Sequence, residues 1–145
     1  MKEKMYRGQL EDFGKFIYGI AAYKTELGKW CIRDEHNNLF YPIPATITRE
    51  TGLSDKNDTK IYEGDIVAIP SSISDYIEEF VILWNDNEMA FMLHRVDEKH
   101  HTFSPIGSTW TSIRGDYDYI ASEIKIVGNM FNTIPRLREE NIFED

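Results

Sequence analysis

Three histidines, His94, His100 and His101, fall within eight residues, with Asp97 and Glu98 among them. Imidazole nitrogens and carboxylate oxygens are ordinary zinc donors, but a zinc site needs three or four of them to converge. No HExxH or paired-cysteine spacing accompanies them, so solvated loop histidines are the simpler reading. His36 lies beside an asparagine pair and is read as exposed. A second cluster, Asp55, Asn57, Asp58 and Glu63, carries side-chain oxygens close in sequence, for which a calcium loop is the sharp reading. The comparison fails position by position. Counting from Asp55, the sixth residue is Lys60 where glycine is needed, and the twelfth is Ile66 where a bidentate glutamate is needed. What remains is a tight turn, because Asp and Asn bond their own backbone two residues on and tolerate left-handed geometry. Cys31 alternates with Trp30 and Ile32 in an extended run and reads as a small hydrophobe rather than a nucleophile. The acid pairs Glu78/Glu79 and Asp116/Asp118 have the spacing of solvated faces. No phosphate-binding loop, nucleophile elbow or dinucleotide fingerprint is present. The residues therefore nominate no catalytic group, no cofactor and no metal site.

The elements that would position these groups read as strands. Met5–Leu10 and Phe16–Tyr23 are extended, the second placing Phe16, Tyr18, Ile20 and Ala22 on one face. Lys29–Asp34 places Trp30 and Ile32 on one face. Asn37–Asn38 predicts a hairpin turn, and Pro42 and Pro44 belong to an edge or crossing segment. Ala45–Glu50 suits a strand better than a helix. Asp65–Ile69 is a strand that ends at Pro70. Glu79–Trp84 and Met89–Val96 flank an Asn/Asp turn and read as a central hairpin. Glu123–Asn132 is the last strand, where Gly128 marks a bulge. Asp97–Asp118 reads as a long polar loop that holds Phe103, Trp110 and Tyr117, a composition suited to a recognition surface. The tail Arg138–Asp145 has four acids among eight residues and is expected to fray. Seven or more short strands with closely spaced turns predict an all-β, compact barrel-like fold.

Bulk properties limit the function classes. At 145 residues and 41% hydrophobic content the chain has the size of one domain with its own core. One cysteine permits no internal disulfide, which fits a reducing cytoplasm. No apolar run is long enough to span a membrane, and no apolar region follows the charged start as in a secretory signal. Acids outnumber bases 25 to 16, for a net charge of -9, and that disfavours duplex DNA.

The segment Thr51–Val67, TGLSDKNDTKIYEGDIV, resembles the signature of the YopX family of phage and prophage proteins, whose members share a TGLxDKNGxxIYEGDIV core. Ile126–Met130 (IVGNM) is similar to that family's VIGNIYE ending, and Asn132, Pro135 and Leu137 echo its NPELL. Tyr6-Arg7-Gly8, Lys15–Gly19, and Trp84 after Val81 extend the match, which covers about Tyr6 to Leu137. The matching signature residues are Gly52, Leu53, Asp55, Asn57, Tyr62, Gly64, Asp65, Gly128 and Asn129. Asp58 departs from the pattern, standing where the family has glycine. The resemblance implies a single domain over 1–137, with an N-terminal β subregion at about 5–50, a barrel-like subregion with SH3-like features at about 60–133, and a tail at 138–145. It implies structural roles for the signature residues and a phage or prophage origin, and it does not imply an activity.

Three expectations follow. The first is a non-enzymatic accessory protein in the cytoplasm of a bacterial host, which binds an unknown protein partner or itself, with homo-oligomers allowed. The second is a nucleic-acid-associated small barrel, disfavoured by net charge, whose mark would be an exposed aromatic and basic strip around Lys15, Lys24, Lys29 and Arg33. The third is a metal-dependent enzyme.

Overall fold

A computed structural model describes residues 5–12, 14–70, 77–87, 89–97, 102–105 and 123–133. The chain is all-β, and its sheets curl into a half-barrel. One sheet has the order β2-β1-β6-β7, built from β1 (Tyr6–Gln9), β2 (Phe16–Gly19), β6 (Thr48–Ser54) and β7 (Lys60–Tyr62). A second is β3-β4-β5, from β3 (Ala21–Lys24), β4 (Trp30–Arg33) and β5 (Leu39–Phe40). The third and largest is β11-β10-β9-β8-β12, from β8 (Asp65–Pro70), β9 (Ile77–Asn85), β10 (Ala90–Asp97), β11 (Thr102–Pro105) and β12 (Lys125–Asn129).

The largest sheet explains its own sequence. Its pairings are antiparallel, yet the run EFVILW does not alternate apolar with polar, because both faces of β9 are covered. Phe80 and Ile82 join Ile61, Val67, Phe91, Leu93 and Ile124 on one side. Val81 joins Ile66, Met130 and Phe131 on the other, with Phe16 and Leu83 packed against them.

Three hairpin turns share one five-residue design. In each, the first residue donates its N–H to the carbonyl of the fifth and its side chain accepts the fifth residue's N–H. In each, the fourth residue is left-handed. In Thr25–Lys29 the acceptor is Thr25 Oγ1 and the left-handed residue is Gly28, φ 83°. In Asp34–Asn38 they are Asp34 Oδ1 and Asn37, φ 66°. In Asp55–Thr59 they are Asp55 Oδ1 and Asp58, φ 63°. Asp and Asn tolerate this conformation better than other side-chain-bearing residues, but glycine adopts it without steric cost. Asp58→Gly is therefore expected to stabilise the protein by about 0.5 kcal/mol, and Asp58→Val to cost more than about 1 kcal/mol. The shift of the urea midpoint measures both.

Four expectations are corrected. Phe16–Tyr23 is two strands broken at Ile20, whose N–H turns to the carbonyl of Arg33, so β2 and β3 enter different sheets. Gly19 allows this turn. A Cβ there would lie 2.6 Å from the Arg33 carbonyl oxygen, against β4. Ala45–Glu50 opens with a 3-10 turn, Pro44–Thr46, because Pro44 presets its first φ and the Thr46 hydroxyl bonds back to the Ile43 carbonyl at 2.6 Å. The strand starts only at Thr48. The final strand stops at Asn129, whose Oδ1 accepts the N–H groups of Phe131 and Asn132 at 3.0 Å each and caps a helical turn, Met130–Thr133. The loop expected from Asp97 includes β11, which pairs with β10. The bulge read at Gly128 is present as a register shift between Ile126 and Gly128.

Candidate functional site

The signature segment gathers the buried charges. Arg7, on β1, meets Asp65, at the start of β8, with Nη2 2.7 Å from Oδ1, and both side chains are almost wholly buried. The Asp65 Oδ2 accepts the Tyr62 N–H at 2.8 Å. Arg7 also donates from Nε to Thr48 Oγ1 at 3.3 Å and from Nη2 to the Glu63 carbonyl at 3.4 Å. Its guanidinium lies between two rings, 4.0 Å from the Phe16 centroid and 4.8 Å from that of Tyr62. Burial lifts the Asp65 carboxyl above its ordinary value, while Arg7 and the Tyr62 N–H pull against it. Burial and the neighbouring Tyr18 push the Tyr62 hydroxyl up to about 12. Gly64, at φ 91°, donates to the Ile82 carbonyl and accepts from Met130 N, and Glu63 Oε2 accepts the Trp84 N–H. Glu63 and Gly64 thus close the edge of β9 where β8 no longer pairs with it.

Asp55 does similar work at the other end of the segment. Its Oδ1 accepts from Asn57 and Thr59 at 2.9 Å each, and its Oδ2 accepts the Ile126 N–H at 3.2 Å. Gly52 is left-handed (φ 87°) in β6, at the register irregularity opposite β7, and Leu53 packs on the core. Of the acids of this segment, Asp55, Glu63 and Asp65 are occupied by internal donors, whereas Asp58 is exposed.

Beside it lies a cleft of about 390 Å³, lined among others by Thr48, Arg49, Glu63, Trp84, Asp86 and His94. Both carboxylates serve Trp84, since Glu63 takes its N–H and Asp86 takes its Nε1–H at 2.7 Å. The Arg49 guanidinium covers the Trp84 ring at 4.4 Å. His94 Nε2 is buried with no hydrogen-bond partner among the described residues. Burial lowers the His94 imidazole below its ordinary 6.5, with Arg49, Glu63 and Asp86 as the charged groups lining the same cleft. Because the fold favours the neutral ring, this contribution to stability is whole above the unfolded value and is lost as pH falls through the lowered folded one. The parent should therefore lose stability relative to His94→Gln as pH falls from about 7 to about 5, read as the difference between their urea midpoints. Among the described residues no group of three or more His, Cys, Asp or Glu is placed to hold a metal ion. His100, His101, Trp110 and Tyr117 lie outside the described residues, and of Phe103 only the backbone position in β11 is described.

The small β3-β4-β5 sheet presents a different surface. Tyr23 pairs with Cys31, and Arg33 with both Ala21 and Leu39, so these side chains share a face, and Tyr41 extends it by two residues. Cys31 is fully buried beneath a hydrogen bond from Tyr23. Tyr23, Leu39 and Tyr41 are exposed, Tyr41 by 52%. Lys29 Nζ stands 5.9 Å from the Tyr41 ring centroid. Lys24 and Trp30 share the opposite face of the same hairpin, both exposed. Of the basic strip read in the sequence, Lys29 and Arg33 come together on this face, whereas Lys24 lies on the opposite face and Lys15 precedes β2 in another sheet. Sequence reasoning missed Tyr23 and Tyr41. The available signal was the Thr-x-x-Gly-Lys turn between Tyr23 and Trp30, which sets which residues face each other.

The family model described as YopX protein matches residues 4–137. Among solved structures the chain is similar to the X-ray structure of protein yopX from Bacillus subtilis, at 15% identity and a TM-score of 0.47, covering 92% of this chain and 96% of that one. No curated protein matches it.

Proposed function

The chain belongs to the YopX protein family, and from that premise we propose that it is a phage- or prophage-encoded accessory protein that works by binding another macromolecule in the host cytoplasm, without catalysis. The supporting observation is the exposed face of β3-β4-β5, where Tyr23, Leu39 and Tyr41 stand in solvent on a sheet of three short strands. Large rigid rings on a small sheet offer contact area at low entropic cost, and tyrosine is enriched where binding energy concentrates. Asp55 and Asp65 of the signature segment, by contrast, are bound to backbone donors, and Asp65 also to Arg7 of β1. Among the described residues no helix is long and apolar enough to cross a membrane.

The test is affinity capture of the full chain from cells that carry the phage, beside a Tyr23→Ala/Tyr41→Ala double variant and an Arg49→Ala control. A macromolecule recovered in stoichiometric amount with the parent and the control, and lost with the double variant, supports this reading. Equal recovery from all three removes the face from consideration. Self-association is the same proposal with a second copy as partner, and a light-scattering mass of 17.0 kDa at working concentration rejects it.

A further inference from the structure

The chain has 25 acids and 16 bases, yet among the described residues the cations of the β3-β4-β5 sheet have no acidic partner. Among the described residues the ion pairs are Arg7–Asp65 and Lys60–Glu50, beside a His36–Glu35 contact, and none involves Lys24, Lys29 or Arg33. Among the described residues the Arg33 guanidinium donates to a neutral acceptor, Asn37 Oδ1, at 3.1 Å. Asp34, next to it, is turned into its own turn, where it accepts from the N–H groups of His36 and Asn38 and from Asn38 Nδ2. The exposed acids Glu26 and Glu35 sit in the turns at either end of β4. The face itself therefore offers two exposed tyrosine rings with Lys29 and Arg33 beside them.

We infer that this face binds single-stranded nucleic acid, with Tyr23 and Tyr41 stacking on bases and Lys29 and Arg33 contacting phosphates; the inference rests on the binding function proposed above and names its partner. A single strand supplies both missing halves, a flat ring for each tyrosine and an anion for each cation. A duplex hides its base faces and offers only phosphates, for which this acidic chain is poorly charged. The remote acids matter less than the net charge suggests, since exposed charges are screened beyond about 8 Å at physiological salt. With few phosphate contacts, affinity depends chiefly on the rings.

Fluorescence anisotropy of a labelled oligothymidylate of about 15 nucleotides, titrated with the full chain, tests this. Saturable binding is expected in the range of about 1–100 µM at about 50 mM salt, with a salt slope near -1.4 for two phosphate contacts. Tyr41→Ala should weaken binding by about 5-fold to 100-fold, and Tyr23→Ala similarly, because base stacking on an aromatic ring carries that much. Tyr41→Phe should retain it. Lys29→Ala should reduce the salt slope by about 0.7. A duplex of matching length should bind at least about 10-fold more weakly. Thermal melts confirm that each variant is folded. Absence of saturation, or equal binding by parent and Tyr41→Ala, overturns the inference. If that happens while the double tyrosine variant still loses its partner in the capture experiment, the face binds protein and only the nucleic-acid assignment falls. If capture is unchanged as well, both fall.

Discussion

Arg7→Met is expected to destabilise the protein by about 3–5 kcal/mol, a large share of the roughly 5–15 kcal/mol that holds a domain of this size together. The cost arises less from the lost bond than from what is left behind. Asp65 is almost fully buried, and without the guanidinium 2.7 Å away its charge is left, among the described residues, with the Tyr62 N–H. Two rings, Phe16 and Tyr62, also lose the cation that lies between them. Arg7→Lys keeps the charge but cannot reach Asp65, Thr48 and the Glu63 carbonyl together, so it should fall between parent and Met. The double variant Arg7→Met/Asp65→Leu should recover most of the loss, leaving about 1 kcal/mol for the orphaned Tyr62 N–H. The pH dependence has a definite sign. Burial already raises the Asp65 value in the fold above 3.8 against the pull of Arg7, and removing Arg7 raises it further. A raised carboxyl contributes stability that is whole below the unfolded value and lost as pH rises through the folded one. The deficit of Arg7→Met relative to the parent should thus be smallest below about pH 4 and widen toward neutrality. Urea denaturation across that range measures it, and a deficit under about 1 kcal/mol at neutral pH would show that the pair does not hold the sheets together.

The elements that were legible in the sequence are those specified by neighbours. The hairpin of β9 and β10 shows as two apolar runs around an Asn/Asp turn, and β8 as an apolar run stopped by Pro70. The bulge at Gly128 shows as a break in alternation. Each depends on residues a few positions apart. Arg7 and Asp65 carry no such signal, because their partnership comes from β1 and β8 lying in different sheets that meet only in the folded chain. The break at Ile20 was hidden for a related reason. FIYGIAAY alternates well enough for one strand, and only the close approach of Gly19 to Ile32 and the Arg33 carbonyl forces the chain to change sheets. The tyrosine face needed the hairpin register before Tyr23, Arg33 and Tyr41 could be placed on one side. The Asp58 departure from the family pattern was legible in position and in consequence, since the turn requires a left-handed residue there and Asp tolerates it.

Asp55 shows how a turn residue comes to hold a distant strand, and Asp55→Ala should cost about 3 kcal/mol. All three hairpin turns use their first side chain to accept the fifth N–H, but only Asp55 has a second oxygen aimed outside its turn. That oxygen takes the Ile126 N–H, and the Ile124 carbonyl accepts Lys56 N from the same turn. β12 is an edge strand whose register with β8 shifts between Ile126 and Gly128, just beyond the amide that Asp55 takes. Water can replace Asp55 at the Asn57 and Thr59 amides more readily than at Ile126, so the third bond should carry most of the loss, as expected for a charged acceptor at a partly buried donor. Asp55→Asn keeps the acceptor that serves the turn but can present an amide N–H to the Ile126 N–H, and about half the cost should remain. Hydrogen exchange separates the two roles. If the turn and β12 are tied through Asp55, the Ile126 amide should lose protection by about 100-fold in Asp55→Ala, with β12 opening before the β9–β10 hairpin. Unchanged exchange at Ile126 alongside a lowered urea midpoint would instead confine Asp55 to its own turn and leave the Lys56–Ile124 bond as the tie to β12.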